Sequence, residues 1–184
     1  MDVKSILWRR IDTPGHDACR VEKRSHGWIL EGMAVFRHDG SPAQLAYYVE
    51  CDPEWRAREG HVRGWLGAHL IEFSVSRSPQ GPWALNGAPV SSVKECVDMD
   101  FGFTPATNLP QLQRLALAAG QATSAPAAWL DVSAGVLDVL PQRYERRSEW
   151  TYWYEAPTVG YAALLEVDPS GFICRYPGLW EAEV

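Results

Sequence analysis

Hydrophobic and polar residues alternate with a period of two along several segments of the chain. In residues 43–51 the side chains of Leu45, Tyr47, Val49 and Cys51 fall on one face, and those of Gln44, Ala46, Tyr48 and Glu50 fall on the other. Residues 70–76 and 161–168 alternate in the same way. Because successive side chains of a strand point to opposite faces, each pattern predicts a β-strand with one buried face.

Residues 27–36 are apolar at nearly every position, which is typical of a strand covered on both faces. Turn-forming residues separate the segments, and the turns are predicted at residues 38–40, 79–82, 86–87 and 168–171. The last of these reads Asp-Pro-Ser-Gly, and Gly171 can adopt the positive φ that closes such a loop. We therefore predict a β-hairpin around residues 168–171.

A helical spacing of apolar residues occurs in residues 110–120. Leu112 and Leu115 lie three apart, Pro110 suits a first helical turn, and Gly120 suits the end of a helix. The pattern predicts one short helix there.

The pattern of the whole chain predicts a mainly β fold, with many short strands separated by turns. This order is typical of an antiparallel sandwich, barrel or roll, with at most one or two short helices. No linker or low-complexity tract interrupts it, so we expect a single domain over residues 1–184.

Composition excludes some classes of function. The charged fraction of 22% and hydrophobic fraction of 46% are those of an ordinary globular protein. The net charge of -6 argues against a nucleic-acid-binding protein, because phosphate contacts need a basic surface.

The N-terminal apolar run, residues 6–8, is too short for a signal peptide, and no stretch approaches the roughly 18 apolar residues of a membrane span. The cysteines, Cys19, Cys51, Cys96 and Cys174, form no Cys-x-x-Cys pair and are expected to be free, buried thiols. We therefore predict a cytoplasmic protein without a transmembrane segment.

Motifs for metal, phosphate or nucleophile chemistry are weak. His16 and Cys19 form one His-x-x-Cys without a second half, and a structural zinc site needs four ligands. The chain has no Gly-x-Ser-x-Gly elbow and no phosphate-binding glycine loop. We predict no metal, no cofactor and no catalytic residue.

Residues 96–115 hold the most suggestive polar cluster. Asp98 and Asp100 would share one strand face with their Cα atoms about 7 Å apart. The carboxylates could pair with an arginine, bind a ligand or act in catalysis. Arg114 stands in an apolar run and needs an anionic partner, for which Asp98 or Asp100 is the obvious choice. Asn108 follows Thr107 in a predicted turn.

Aromatic residues are abundant, with nine tryptophans in 184 residues. Trp55 and Arg56 begin a stretch in which arginines and tryptophans interleave, an arrangement that can clamp a sugar or a phosphate group. Aromatic residues at positions 150, 152 and 154 would share one strand face. That face could line an apolar core or a cavity for an acyl chain, and both interpretations stay open.

Several motifs resemble those of the bacterial domain of unknown function 1089, now called the putative glycolipid-binding family. They are CVDMDFGFTPATNLPQLQRL, CDPEWRAR, PQRYERR and LLEVDPSGFICRYPGLW, in the family's order and over most of the chain. The resemblance implies a spiral β-roll, likened to lipoprotein carriers that hold acyl chains in an apolar half-barrel.

The motifs carry over to individual positions. This chain has Gln113 where the family usually has a second arginine, and Leu109 directly after Asn108 where the family has one further residue. The positions that match the family's motifs are Trp55, Arg56, Asp98, Asp100, Thr104, Pro105, Thr107, Asn108, Arg114, Gln142, Tyr144, Tyr176, Pro177 and Gly178.

From these observations we predict non-catalytic binding of a small amphipathic ligand, a glycolipid or an acyl chain, in an aromatic-lined cleft. Two alternatives stay open: an enzyme that acts on a sugar or lipid ester through Asp98 or Asp100, and a protein-interaction module without a small ligand. The sequence predicts no oligomeric state. The predicted ligand-binding residues are Trp55, Arg56, Asp98, Asp100, Asn108, Arg114, Gln142, Tyr144, Tyr152 and Tyr176.

Overall fold

The computed structural model describes residues 3–78 and 81–183. Within these residues the fold is mainly β, as predicted, with one α-helix and a large antiparallel sheet that does not close into a barrel. The turn predicted at residues 79–82 includes Pro79 and Gln80, which lie outside the described residues.

A fourteen-stranded sheet forms most of the fold. Its long strands come from the N-terminal half of the chain, where each strand pairs with the next as a hairpin. Strands from the C-terminal part of the chain extend the sheet on the other side of the first strand. In spatial order the strands are β10 (Ala122–Ser124), β13 (Arg143–Arg146), β14 (Thr151–Ala156), β15 (Tyr161–Val167), β16 (Ile173–Tyr176), β17 (Trp180–Ala182), β1 (Val3–Arg10), β2 (Gly15–Arg24), β3 (Gly27–His38), β4 (Ser41–Cys51), β5 (Ala57–Leu66), β6 (His69–Arg77), β7 (Trp83–Leu85) and β8 (Ala88–Val90).

A second, three-stranded sheet packs inside the roll. It has the order β12 (Val136–Leu140), β11 (Ala127–Asp131), β9 (Asp98–Phe101), and β9 runs parallel to β11. The helix α1 (Asn108–Leu115) follows β9 in the chain, and a short 3-10 turn spans Pro157–Val159.

Strands β1–β6 pack one face against β9 and the loop that follows it. Phe103 lies 5.8 Å from the ring of Tyr47 and 6.5 Å from that of Phe36. A Cβ at Gly60 would come within 3 Å of the side chains of Met99 and Phe101, so β9 docks where β5 has no side chain. We call this packed side the core face of β1–β6.

The predicted hairpins and alternation are largely confirmed. In β4, Leu45, Tyr47 and Val49 are buried on the core face. The turn at residues 168–171 joins β15 to β16, and Gly171 has φ of 90°. The side-chain oxygen of Asp168 accepts bonds from two backbone N–H groups of this turn, which explains why the local residues suffice to specify it.

The expectation that residues 27–36 are covered on both faces is wrong. Leu30 and Ala34 of β3 are buried, but Met33 and Val35 on the opposite face are 47% and 51% exposed. Periodicity cannot distinguish this strand from a doubly covered one, because the difference depends on what other segments pack against it.

The helix is confirmed, but its predicted end at Gly120 is wrong. It ends at Leu115, and Ala116 adopts a left-handed conformation with φ of 44°. The N–H of Ala116 donates to the carbonyl of Leu112, which closes the last turn in the way that a glycine usually does.

The expectation that residues 150, 152 and 154 share one strand face is wrong for Trp150. Trp150 precedes strand β14 and is exposed, so it does not share the face of Tyr152 and Tyr154.

Candidate functional site

A groove of about 1320 Å³ crosses strands β1–β6 on the face opposite the core face. We call this side the groove face. The volume exceeds the range of roughly 300–1,000 Å³ that is usual for small-molecule pockets. Residues at the C-terminal end of the chain, Ala182 and Glu183, border the groove beside β1, and Asp168 and Cys174 also line it.

The strand register shows how the groove is built. Two rows of side chains cross the sheet on the groove face, and the backbone between them forms the floor. The polar row is Ser5, Arg20, Glu31, Tyr48 and His61; the second row is Leu7, Ala18, Met33, Ala46, Arg63 and Glu72.

The centre of the groove is open because the side chains that project there are small. Ala18 and Ala46 project only a methyl group into the groove, and Gly32 forms part of the floor between the two rows. A Cβ at Gly32 would point to the core face and clash with Tyr47 Oη. The glycine therefore lets the Tyr47 ring cover the sheet from the core side, while the groove face stays open.

The two walls differ in polarity, which suits an amphipathic ligand. Leu7, Ala18, Met33 and Ala46 form an apolar wall over β1–β4, and this row ends over β5 and β6 in the charged side chains of Arg63 and Glu72. The opposite wall offers hydrogen-bonding groups along its whole length.

Ion pairs and hydrogen bonds hold the polar wall in place. Arg20 pairs with Glu31 across β2 and β3. His61 Nε2 lies 2.8 Å from a carboxylate oxygen of Glu59. Tyr48 donates to Glu50 at 3.1 Å. Partial burial, which is the larger cause, and this bond together raise the pKa of Tyr48 to about 12.

A buried polar cluster lies on the core face beneath the groove floor. Tyr47 Oη lies 3.0 and 3.1 Å from the two carboxylate oxygens of Asp17, and the Thr104 hydroxyl also bonds to Asp17. Burial raises the pKa of Asp17 to about 6, although both hydrogen bonds act in the opposite direction. The cluster ties β2 and β4 to the loop after β9.

The predicted pairing of Arg114 with an aspartate is confirmed. Its guanidinium donates two bonds to Asp98, at 2.7 Å from Nε and 2.6 Å from Nη2. Asp98 is 1% exposed, so a nearly buried carboxylate is neutralised by a bidentate partner. The pair joins α1 to the inner sheet.

The other predicted polar residues form a second buried network. Gln142 donates to Asp100 at 2.8 Å and to Tyr154 at 3.0 Å. Asn108 donates to the hydroxyl of Tyr144 at 2.7 Å, and that hydroxyl donates to Gln111. Burial raises the pKa of Asp100 to about 6, against the bond from Gln142.

The predicted aromatic residues of the C-terminal strands also lie inside. The rings of Tyr144 and Tyr154 are 4.9 Å apart, and those of Tyr154 and Tyr176 are 5.8 Å apart. Tyr152 is buried as well, with the Arg146 guanidinium over its ring. The aromatic side chains thus pack against one another.

Trp55 and Arg56 lie apart from these networks, in the loop between β4 and β5. Trp55 has a positive φ of 64° and stacks on Trp28 with ring centroids 4.1 Å apart. Arg56 is exposed beside Asp52 and Glu54. Asp52 stabilises the loop by accepting the backbone N–H groups of Glu54 and Arg56.

The structure therefore brings most of the predicted ligand-binding residues together in the interior, and none of them lines the groove. Their part in binding stays a prediction. The groove residues were missed, although a signal was present. Ala18, Met33 and Ala46 are small or apolar at positions where a solvated strand face usually carries charge.

Within residues 3–78 and 81–183, no group of three or more His, Cys, Asp or Glu side chains is placed to hold a metal ion. The described part of the chain has no helix of the length and hydropathy that crossing a bilayer requires. All four cysteines are free thiols; Cys19, Cys51 and Cys96 are buried, as predicted, and Cys174 is partly exposed.

Comparisons with known proteins agree with the fold. The family model described as "Putative glycolipid-binding" matches residues 5–182. A crystal structure of a DUF1089 family protein from Pseudomonas aeruginosa is similar to the chain, with a TM-score of 0.78 and 28% sequence identity over 91% of each chain. No curated protein matches the chain.

Proposed function

The chain belongs to the putative glycolipid-binding family, and from this premise we propose that it binds an amphipathic small molecule, such as a glycolipid, in the groove of strands β1–β6. Binding is non-catalytic. The observation that carries the proposal is the groove itself, which has the volume for such a ligand and is apolar along one wall and polar along the other.

The apolar wall supports a site for an acyl chain. Leu7 and Met33 are 42% and 47% exposed, so a ligand that covers them removes apolar surface of the protein from water. Each buried methylene of the ligand contributes about 0.8 kcal/mol, and eight methylenes therefore offer roughly 6 kcal/mol before the costs of association. An alkyl chain of that length is enough for measurable binding.

The polar wall supports a site for the headgroup. The Glu31 carboxylate of this wall can accept bonds from sugar hydroxyls, while Arg20 donates to sugar oxygens. Glu72 and Arg63, at the charged end of the opposite row, offer the same two kinds of group. The Tyr48 hydroxyl, which stays protonated over the physiological range because its pKa is raised to about 12, adds a further donor and acceptor. A neutral, hydroxyl-rich headgroup fits such a mixed wall.

A substitution that fills the groove tests the proposal. We expect Ala18→Trp to weaken binding of octyl glucoside, used below its micelle concentration, by about tenfold, because the indole occupies the apolar wall. Ala162→Trp is the matched control, since Ala162 is also an exposed alanine on a strand of the same sheet and does not line the groove. Isothermal titration calorimetry measures both, with glucose alone as the headgroup reference.

Native mass spectrometry of the protein purified from its own host provides a second test. A lipid that co-purifies with the wild type and is lost in Ala18→Trp supports the groove as the site. The proposal fails if the wild type carries no ligand and takes up none in titration, or if both tryptophan variants bind as the wild type does. The predicted cytoplasmic location stays a prediction, which fractionation of the host would check.

A further inference from the structure

A second, smaller pocket opens at one end of the roll, on the core-face side of the main sheet. It has a volume of about 170 Å³ and lies between the ends of strands β1, β3 and β5 and the end of β11 with the turn that follows it. It shares no lining residue with the groove. We call it the end pocket; the side chains that decide what it can bind are Arg10, Phe36, Phe103, Trp129, Leu130 and Asp131.

The floor of the end pocket is apolar and preformed. Phe36 and Phe103 are both 5% exposed, and their nearly parallel rings lie 6.5 Å apart. Leu130 beside them is 1% exposed. A Cβ at Gly102 would lie 2.6 Å from Trp129 Nε1, so the indole keeps its position at the pocket only beside a glycine.

Polar atoms of the end pocket lack partners within residues 3–78 and 81–183. Trp129 Nε1 donates to no acceptor there. Arg10 donates to Asp12 from Nε and Nη2, at 2.7 and 2.9 Å, and its Nη1 has no acceptor. Asp131 accepts two backbone N–H groups of the next turn with Oδ1, and none with Oδ2. The pocket therefore offers donors and an acceptor together.

Charges of both signs meet at the end pocket. Asp12 neutralises Arg10, and His38 lies 3.5 Å from an oxygen of Asp39. Asp131 has no ion pair with the described residues. An anionic ligand would lie beside the Asp131 carboxylate, and a cationic ligand would lie beside the Arg10 guanidinium. Both kinds of ion are disfavoured, and an uncharged polar ligand is not.

We infer that the end pocket binds a neutral cyclic polyol, a single ring that carries several hydroxyl groups. Each hydroxyl group can donate and accept, so one ring can satisfy the N–H groups of Trp129 and Arg10 and the second oxygen of Asp131. The C–H groups of the ring cover the aromatic floor. The volume is below the roughly 300–1,000 Å³ of usual small-molecule pockets, which limits the ligand to one ring and leaves no room for an acyl chain. The inference goes beyond the proposed function, because it concerns a separate site.

Titration of the full chain with myo-inositol and with D-ribose, followed by ¹H–¹⁵N NMR, tests the inference. We expect the indole N–H signal of Trp129, identified by its loss in Trp129→Phe, to shift saturably with a Kd on the order of 1 mM, because only a few neutral hydrogen bonds form. No saturable shift with either probe up to about 50 mM would overturn the inference.

Two variants locate the site, with the backbone N–H signal of Gly102 as the reporter. Asp131→Asn keeps Oδ1 for the turn and replaces the second oxygen by a donor, and we expect about tenfold weaker binding of myo-inositol. Trp129→Phe removes only the N–H and should weaken binding by about fivefold. Trp153→Phe is the matched control, since Trp153 is also a partly buried tryptophan on a strand and lies outside both pockets. Equal affinities of the two phenylalanine variants, or of Asp131→Asn and the wild type, would overturn the inference.

Charged references and a groove variant complete the test. Acetate and ethylammonium are titrated in the same way, and tighter binding of either than of myo-inositol would overturn the neutral class of ligand. Ala18→Trp fills the groove on the other face of the sheet. A loss of myo-inositol binding in Ala18→Trp as large as that in Asp131→Asn would place the polyol in the groove and overturn the inference.

Discussion

On the core face of strands β1–β6, Asp17 and Tyr47 are enclosed and bonded to Thr104, whereas on the groove face Arg20 and Glu31 pair at the protein surface. The same alternation of the same strands produces both arrangements. A buried polar group must keep its partners, because a group that loses them inside the protein has no water to replace the lost hydrogen bonds, and this costs free energy. A polar group on the groove face can exchange its partner for water or for a ligand.

The comparison therefore assigns different tasks to residues that look alike in the sequence. Aspartates, tyrosines and glutamines in the interior join the two sheets and the helix. Charged and small residues on the groove face form an open surface that can bind a ligand. Substitutions on the core side should change stability, and those on the groove side should change binding.

The largest effect is expected for Asp98→Ala, which leaves the Arg114 guanidinium partly buried without its carboxylate. We expect the free energy of unfolding to fall by about 3 kcal/mol, as for other broken buried ion pairs. Urea denaturation measures this change. Octyl glucoside binding, measured where the variant is fully folded, should stay the same.

A double-mutant cycle with Arg114→Ala sharpens this result. The two side chains share one pair of hydrogen bonds, so the loss in the double variant should be smaller than the sum of the single losses by about 1–3 kcal/mol. Additive losses would contradict a structural role of the pair.

An intermediate effect is expected in the pH dependence of stability. The pKa of Asp100 is about 6 in the folded protein, against an ordinary value of 3.8, because the carboxyl group is buried. Between these values the folded state holds the proton more tightly than the unfolded chain, so the contribution of Asp100 to the free energy of unfolding falls as the pH rises from about 4 to 6. Asp17, with its pKa of about 6, acts in the same direction.

Asp100→Asn should remove this contribution while it keeps an oxygen that accepts from Gln142. Relative to the wild type, we expect the variant to gain about 2 kcal/mol between pH 4 and pH 7, since one pKa unit corresponds to about 1.4 kcal/mol. Urea denaturation across this range measures the difference. If the two proteins follow parallel curves, the buried carboxyl does not titrate there.

The smallest effect on stability is expected for Glu31→Gln, on the groove face. Its ion pair with Arg20 is between side chains that are 40% and 52% exposed, and such pairs contribute less than about 1 kcal/mol. The same variant should nevertheless weaken octyl glucoside binding, because Glu31 lines the polar wall. A loss of stability as large as that of Asp98→Ala would erase the distinction between the two faces.

Several features of the fold could be predicted because they depend on near neighbours. The hairpin at residues 168–171 needs only the Asp168 side chain and a glycine with positive φ, and both lie within the turn. The pairing of Arg114 with an aspartate followed from the cost of leaving a guanidinium without an anion in an apolar run. The end of α1 could not be predicted in this way, because Ala116 replaces the expected glycine.

The location of the candidate site could not be read from the same patterns. The resemblance to a known family drew attention to Asp100, Gln142 and Tyr144, which the structure places in a buried network. Ala18 and Ala46 belong to different strands and carry no motif. They form one groove only because the register of β1–β6 sets them side by side around Gly32.

The amino-acid sequence by itself determined the strands, the turns and the identity of the residues that must find partners, since these follow from interactions within a few positions along the chain. Only the tertiary structure decided which face of β1–β6 is closed. That outcome depends on where β9 and the loop after it dock, and Met99, Phe101 and Phe103 cover one face and leave Met33 and Val35 on the other. Period-two alternation specifies two faces, but the choice between them requires contacts between segments that are distant in sequence.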